Sequence, residues 1–515
     1  MAVGPLQLSR FGGPLAALAI VGVLGAVTLA VVLQGGTFRL GPGDRAALWF
    51  TLHQAIWSAA LSVGFAIPLA RALSRRQFRG RQALVILLGA PFILPVIVAV
   101  LGLLTVFGRG GWVSALLVAI GLEPLSIYGF HGVVLAHVFF NLPLATRLIL
   151  QGWQAVPAEQ FRLAGQLGLD GWTFFRVLEW PVLRKSVPGA FALIFVLCLT
   201  SFAVALTLGG GPRATTVELA IYEAFRFEFD LGRAAFLSLL QLAMAGFAAV
   251  IAVWLVPSID TGRGLDRRQI RWDGRRALLR DAVIIVLGAA FLILPLLAIF
   301  MRGLPGLFVL PASIWSATLT SIWVAVLSVA LMLTLALPLA GWMAGRKRSG
   351  VETIGVLGLA LSPLMIGTGA FLLINPFVDP RSAALPVTAS VNTLMTLPFA
   401  LRLLAPAIRD AVEGYGPLAQ SIGVKRFSLW RILILPRLRP QIGFAVGLGM
   451  ALSLGDLGVI ALFADPERGT LPLAMYSLMG SYQLDAASGA ALLLLLLALL
   501  TFWICDRLGR HAAAE

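Results

Sequence analysis

The chain has 515 residues, 59% hydrophobic and only 12% charged, with a mean hydropathy of +0.94 and a formal net charge of +16. Soluble domains carry roughly 25% charged residues, so this composition excludes a soluble globular protein. With repeated apolar runs of about 20 residues it gives a polytopic membrane protein. The positive charge would suggest nucleic acid in a soluble chain. Here it clusters in short loops between apolar runs and reads as a topology signal, with membrane lipid as the surroundings and no nucleic-acid partner.

In chain order, Arg10 precedes an apolar run from Leu15 to Leu33. That run is long for a signal-peptide core and lacks a convincing cleavage site, so it is expected to be a retained first helix. Twelve spans are expected, at about 14–34, 52–71, 82–106, 131–152, 187–208, 235–256, 281–301, 315–344, 352–375, 386–407, 440–463 and 486–505. Pro91, Pro95 and Pro363 are expected to kink the third and ninth. Arginines follow span 2 (Arg71, Arg75, Arg76, Arg79, Arg81) and span 6 (Arg263 to Arg280), and Arg346, Lys347 and Arg348 follow span 8. The alternate loops carry Glu218, Glu223, Glu228 and Asp230, or Asp465 and Glu467. The basic set belongs in the cytoplasm, which places both termini there. Cys198 and Cys505 sit in apolar runs, and the four histidines show no metal-ligand spacing, so no disulfide framework and no metal site is expected.

The chain repeats itself. Pro157–Arg184 contains Ala164, Gly168 and Pro181, in the spacing A-x-x-x-G followed thirteen residues later by P. Pro417–Arg439 contains Ala419, Gly423 and Pro436 in the same spacing, at an offset of 255 residues. Leu142-Pro-Leu-Ala-Thr-Arg147 is echoed by Leu397-Pro-Phe-Ala-Leu-Arg402, again at 255. Ile56-Trp57 is echoed by Ile322-Trp323, and Leu219-Ala-Ile-Tyr222 by Leu473-Ala-Met-Tyr476. The expected fold is therefore all-α and polytopic, with about twelve transmembrane helices in two parallel six-helix repeats. The expected divisions are a first half over 1–257, a cytoplasmic linker over 258–280 and a second half over 281–515.

The repeated loop should fold as two short helices. Pro157 and Pro417 suit a first helical position. Gly168 and Gly423 permit a left-handed cap and a sharp turn. A second amphipathic piece carries Trp172, Phe174 and Phe175, or Phe427, Leu429 and Trp430, before the proline leads into the next span. Small Ala164 and Ala419 would let another protein approach. One such loop could simply lie on lipid headgroups; two copies in register point to docking of a two-fold partner.

This pattern resembles the EAA loop of permease subunits of ATP-binding-cassette (ABC) importers. Ala164, Gly168 and Pro181 match the family pattern, as do Ala419, Gly423 and Pro436, while Arg162 and Pro417 stand where the family has its glutamate. The resemblance implies a type I importer permease fold. It also implies that the loops at 157–184 and 417–439 couple to two copies of a cytoplasmic ATP-binding subunit, with ATP and magnesium held there and no cofactor on this chain. A periplasmic solute-binding protein would complete the assembly. A duplicated permease is similar to the ferric-iron and thiamine importers, and the string Ser201–Tyr222 resembles the permeases for thiamine and its phosphates.

Polar groups within spans are candidate solute contacts. Asp456, in Ala451-Leu-Ser-Leu-Gly-Asp-Leu-Gly458, costs roughly 2.5–3.5 kcal/mol to insert and should face a partner or an aqueous cavity. It reads equally as a buried anchor or as a lining residue for a cationic solute. Its counterparts in the first half are Ser201 and Phe202, without an acid. His137 and Asn141, four apart in span 4, read first as interhelical hydrogen-bond partners and second as solute contacts. No G-x-x-x-x-G-K-[ST] loop occurs, so the chain is not expected to be an enzyme, and ATP hydrolysis falls to a separate subunit. The alternatives are a ferric-iron importer permease or an ion-coupled secondary transporter, the latter needing more intramembrane ionisable groups than Asp456.

Overall fold

A computed structural model describes residues 12–35, 40–89, 93–169, 171–209, 211, 214–255, 275–344, 362–422, 428–463 and 469–511. In hydrocarbon every backbone N–H and C=O must be satisfied within the segment, and all regular structure among the described residues is helical. In order these are α1 (Gly12–Gly35), α2 (Pro42–Arg75), α3 (Arg81–Leu87), α4 (Val96–Phe107), α5 (Trp112–Ala119), α6 (Phe130–Gln154), α7 (Ala158–Gln166), α8 (Trp180–Leu199), α9 (Ala203–Leu208), α10 (Val217–Arg226) and α11 (Leu231–Leu255). There follow α12 (Arg275–Gly306), α13 (Ala312–Ala344), α14 (Pro363–Ile374), α15 (Pro380–Ser421), α16 (Leu435–Leu454), α17 (Gly458–Phe463), α18 (Leu471–Gly480) and α19 (Leu484–His511). Among the described residues, 11 helical segments are long and apolar enough to cross a membrane.

Several expected spans are built differently. Span 3 is broken into α3 and α4, with Pro95 as the N-cap of α4. Residues 352–361 of span 9 lie outside the described residues, and the described part forms the 12-residue α14, with Pro363 in its first turn. The two prolines therefore start helices rather than kink them, because a ring without an N–H fits where no intrahelical bond is required. Pro91 lies outside the described residues, as does most of the expected linker. Spans 5 and 11 each break, into α8 and α9 and into α16 and α17.

The same packing occurs twice. Helices α2, α6 and α8 contact one another, as do α13, α15 and α16; α8 then packs on α11, and α16 on α19. Thr51 Oγ1 accepts the N–H of Val217 at 2.8 Å, and Ser321 Oγ accepts that of Leu471 at 2.7 Å. These bonds pair α2 with α13 at an offset of 270, the offset that also superposes Pro68 on Pro338. The Ile56-Trp57 echo lies at 266, one helical turn away. A four-residue slip keeps a helix on the same face, so sequence periodicity does not separate the two registers.

Two helices reach across. α1 packs on α11, α13 and α14, and α12 packs on α19, α2 and α4. Where α12 meets α19, a Cβ on Gly489 would fall 2.3 Å from the carbonyl of Gly306, so only glycine allows this approach. Phe225 of α10 meets Phe371 of α14 edge-on at 4.6 Å between centroids, with Phe463 of α17 beside both. At the loop-distal end, Arg233 of α11 holds Asp44 of α2 at 2.7 Å.

Candidate functional site

The first copy of the repeated loop is a helix stopped by a Schellman turn. Pro157 is the N-cap of α7, one residue before the expected first helical position. Gly168 has φ +62°. The N–H of Leu169 donates to Ala164 O at 2.9 Å and that of Gly168 to Gly165 O at 3.2 Å, which satisfies the last carbonyls of α7. The chain then forms Gly171–Phe174 and a π-helical turn, Phe175–Glu179, running directly into α8. A second π turn, Leu429–Ile434, precedes α16. Pro181 and Pro436 follow these turns within the first turn of α8 and α16, where the wider hydrogen-bond spacing tolerates a residue that cannot donate.

Two expectations for the loop are corrected. Ala164 and Ala419 are only 3% and 9% exposed, so they face this chain rather than a visitor. Their small size serves packing within the loop, and the outer face of α7 is formed by Arg162, Leu163, Gln166 and Leu167. In the second copy, α15 runs without interruption through Pro417 to Ser421, so no separate short helix begins there. Gly423 lies outside the described residues.

An ionic clamp, which sequence reasoning missed, anchors the first loop. Glu179, 2% exposed, accepts from Arg71 Nε at 3.1 Å and pairs with Arg71 Nη2 at 2.7 Å; Arg75 also pairs with it. Arg76, next along α2, holds Asp281 of α12 at 2.8 Å. The end of α2 is thus tied to both the loop and a helix from the far part of the chain. At the 255 offset Glu179 corresponds to Ile434, which is fully buried, and at the 270 offset Arg71 corresponds to Gly341. In the second copy the Arg437 guanidinium lies 3.6 Å from the Tyr415 ring centroid. A glutamate in an otherwise basic stretch, with arginines ending an earlier span, was the available signal.

The second part of the site lies where α8 and α16 break. A Cβ on Gly455 would lie 3.0 Å from Pro95 Cα, and one on Gly458 would lie 3.9 Å from the Phe202 ring and 3.7 Å from Pro363. The two breaks and the two proline-started helices therefore converge. Asp456 Oδ1 accepts the N–H of Gly458 at 3.1 Å, at the start of α17. Its Oδ2 is enclosed without a hydrogen-bond partner, with the Asn392 amide close by. Ser201 adjoins Phe202, whose ring lies 5.3 Å from that of Tyr222. Ser201, Phe202 and Asp456 are thus brought to one place.

His137 and Asn141 each bond a neighbouring helix. His137 Nδ1 bonds Ser58 Oγ at 3.1 Å, and Asn141 Nδ2 donates to Cys198 Sγ at 3.4 Å, so both lock α6 to α2 and α8. Asn392, at the position of His137, donates to Ser453 Oγ at 3.0 Å, and Ser453, at the position of Cys198, meets Ser328 Oγ at 3.2 Å. These are the interhelical bonds expected of polar groups in membrane helices. Among the described residues no group of three His, Cys, Asp or Glu side chains is placed to share a metal ion.

No protein-family model matches the chain. It is 41% identical over 481 residues to the thiamine transport system permease protein ThiP of Salmonella typhimurium, covering 90% of this chain and 89% of that one. It is 38% identical over 513 residues to ThiP of Brucella abortus, covering 96% and 94%. To ThiP of Haemophilus influenzae it is 35% identical over 508 residues, covering 93% and 94%. Similarity of this degree along nearly the whole length of each protein means that the chain belongs to the family of thiamine transport system permease proteins.

Proposed function

We propose that this chain is the inner-membrane permease subunit of an ABC importer that carries thiamine, and thiamine phosphates, into the cell. The observation that carries this reading is the 35–41% identity to thiamine permeases over about nine tenths of the chain. One chain supplies both halves of the path, 1–257 and 281–515, joined by a cytoplasmic linker at 258–280. The twice-built packing of α2, α6 and α8 and of α13, α15 and α16 supports that division.

Both termini and both repeated loops are cytoplasmic. Two copies of an ATP-binding subunit, which hold ATP and magnesium, dock on the loops at 157–184 and 417–439. A periplasmic solute-binding protein delivers solute to the other face. In the first loop the exposed face of α7 meets the ATPase, while Ala164, Gly168 and Pro181 shape the turn; Ala419, Gly423 and Pro436 do so in the second. ATP-driven closure pushes the loops together. The Glu179 clamp passes that movement to α2, and the Arg76–Asp281 pair passes it on to α12.

Thiamine carries a fixed positive charge on an aromatic ring. The enclosed carboxyl of Asp456, near Phe202 and Ser201, supports a solute contact at the helix breaks. His137 and Asn141 support that site by holding α6 in place. Purification of the tagged chain tests the assembly. A stoichiometric ATP-binding subunit should accompany it and be lost when Leu163 and Leu167 are both changed to Asp. Retention of the subunit by that variant would remove the docking assignment.

A further inference from the structure

At the loop-bearing end of α2, a cavity of about 470 Å³ opens between α2, the Gly171–Glu179 segment and the start of α12. Arg71, Arg75 and Arg280 line it, with Trp172 and Phe175 as its aromatic wall; no carboxylate is among its described lining residues, and Asp281 lies 3.9 Å from Arg280 beside it. Glu179 grips Arg71 and Arg75 from one side, which fixes the guanidinium planes beforehand. Trp172 is stacked on Phe175 at 5.2 Å and is 73% exposed at the mouth. Planar guanidinium groups match phosphate oxygens in pairs.

The same two helices carry an apolar groove immediately beyond the arginines. This second cavity, about 550 Å³, is lined by Leu61, Phe65 and Leu69 of α2 and by Ile284, Leu287 and Phe291 of α12, with α6 as its floor. Leu69 lies two residues before Arg71, and Ile284 one turn after Arg280. From Arg280 to Phe291 the helix rises about 16 Å, close to the roughly 15 Å depth of one hydrocarbon leaflet. Leu278, Leu279 and Val283 of α12 are exposed alongside, as for a helix bathed in lipid.

We infer that this paired cavity is a binding site for one anionic phospholipid. Its phosphodiester sits among Arg71, Arg75 and Arg280, and one acyl chain lies in the groove between α2 and α12. Basic pockets between spanning helices on the cytoplasmic side suit such headgroups. The lipid would bridge helices from the two parts of the chain beside the clamp that anchors the first loop. At the 270 offset Arg71 and Arg75 correspond to Gly341 and Gly345, so the arginine pair itself is not repeated in the sequence. The inference rests on the reading that the repeated loops face the cytoplasmic leaflet and not on the identity of the solute.

Native mass spectrometry of the detergent-purified full chain tests it, with added phosphatidylglycerol or phosphatidylcholine of identical acyl chains. One phosphatidylglycerol should be retained in preference to phosphatidylcholine, and Arg280→Gln should lower its retention by about tenfold, as for loss of a charge-assisted contact. Leu287→Trp, which fills the groove, should lower it as well, while Arg79→Gln, an exposed arginine outside the cavity, should not. Excess inorganic phosphate should fail to displace the lipid. Equal retention of the two lipids, or equal loss in Arg79→Gln and Arg280→Gln, would overturn the site. Displacement by phosphate with no effect of Leu287→Trp would make it a free-anion site and overturn the lipid assignment. Retention is read without transport, so a failure of thiamine uptake would leave this result standing.

Discussion

Glu179→Ala leaves Arg71 and Arg75 facing a buried position without their shared carboxylate. Glu179 is 3% exposed at its side chain, Arg75 7% and Arg71 26%, so the carboxylate position is closed to water although the guanidiniums also border the cavity beside them. Removing one partner from such a pair costs about 3–5 kcal/mol, because the remaining charges stay buried. At about 1.4 kcal/mol per tenfold, the ratio of docked to undocked loop falls by about 10² or more. The second copy of the loop shows the apolar solution, with Ile434 and Gly341 at these positions. A triple change, Arg71→Leu, Arg75→Leu and Glu179→Ile, should therefore recover most of the loss, as buried ion clusters are often replaceable by apolar packing. The assay is hydrogen exchange of the 171–185 peptide in the assembled transporter, together with solute-stimulated ATP hydrolysis. Glu179→Ala should speed exchange and uncouple hydrolysis, and the triple variant should reverse the first. Unchanged exchange in Glu179→Ala, or no recovery in the triple variant, would refute the clamp as the loop's anchor.

Substitutions at five other positions discriminate parts of the account. At Gly168 the φ of +62° strains most side chains while no atom lies within 4 Å of a built Cβ. Gly168→Val should thus cost about 1–2 kcal/mol in thermal stability and impair uptake, and Gly168→Asn should be tolerated. Gly489→Val drives a side chain into Gly306, and should lower the thermal midpoint by the equivalent of about 3 kcal/mol or more. Thr51→Val and Ser321→Ala each orphan a buried N–H and should destabilise by a similar amount, about 1–3 kcal/mol, if the 270 register is right. Asp456→Asn keeps an oxygen for the Gly458 N–H, so folding should be retained. Loss of its charge should raise the KM for thiamine about tenfold or more, whereas an unchanged KM would leave Asp456 as an anchor only.

Most of the helical framework can be read directly from the sequence, because long apolar runs have few other solutions in a membrane. The turn at Gly168 was legible because glycine takes the left-handed conformation that caps a helix. The break at 200–202 was hidden, since Phe202 to Leu208 continues the apolar run and only the small hydroxyls of Thr200, Ser201 and Thr207 interrupt it. The crossing of α1 and α12 to the opposite half depends on glycines whose partners lie far away in sequence, as where a Cβ on Gly102 would fall 2.7 Å from Pro295 O and one on Gly369 would fall 2.7 Å from Val27 O. The clamp between Arg71 and Glu179 spans 108 residues, and the arginines also satisfied a simpler reading as topology signals. Inward-facing Ala164 and Ala419 show the limit of motif reading: the spacing identified the loop but not which way its small residues face.

Uptake of labelled thiamine into cells deleted for this chain, with and without the chain restored, tests the central claim most directly. The account predicts that high-affinity uptake is lost on deletion and recovered on restoration, and that recovery requires a competent ATP-binding partner. Thiamine uptake unchanged by deletion would contradict the assignment of thiamine as the solute.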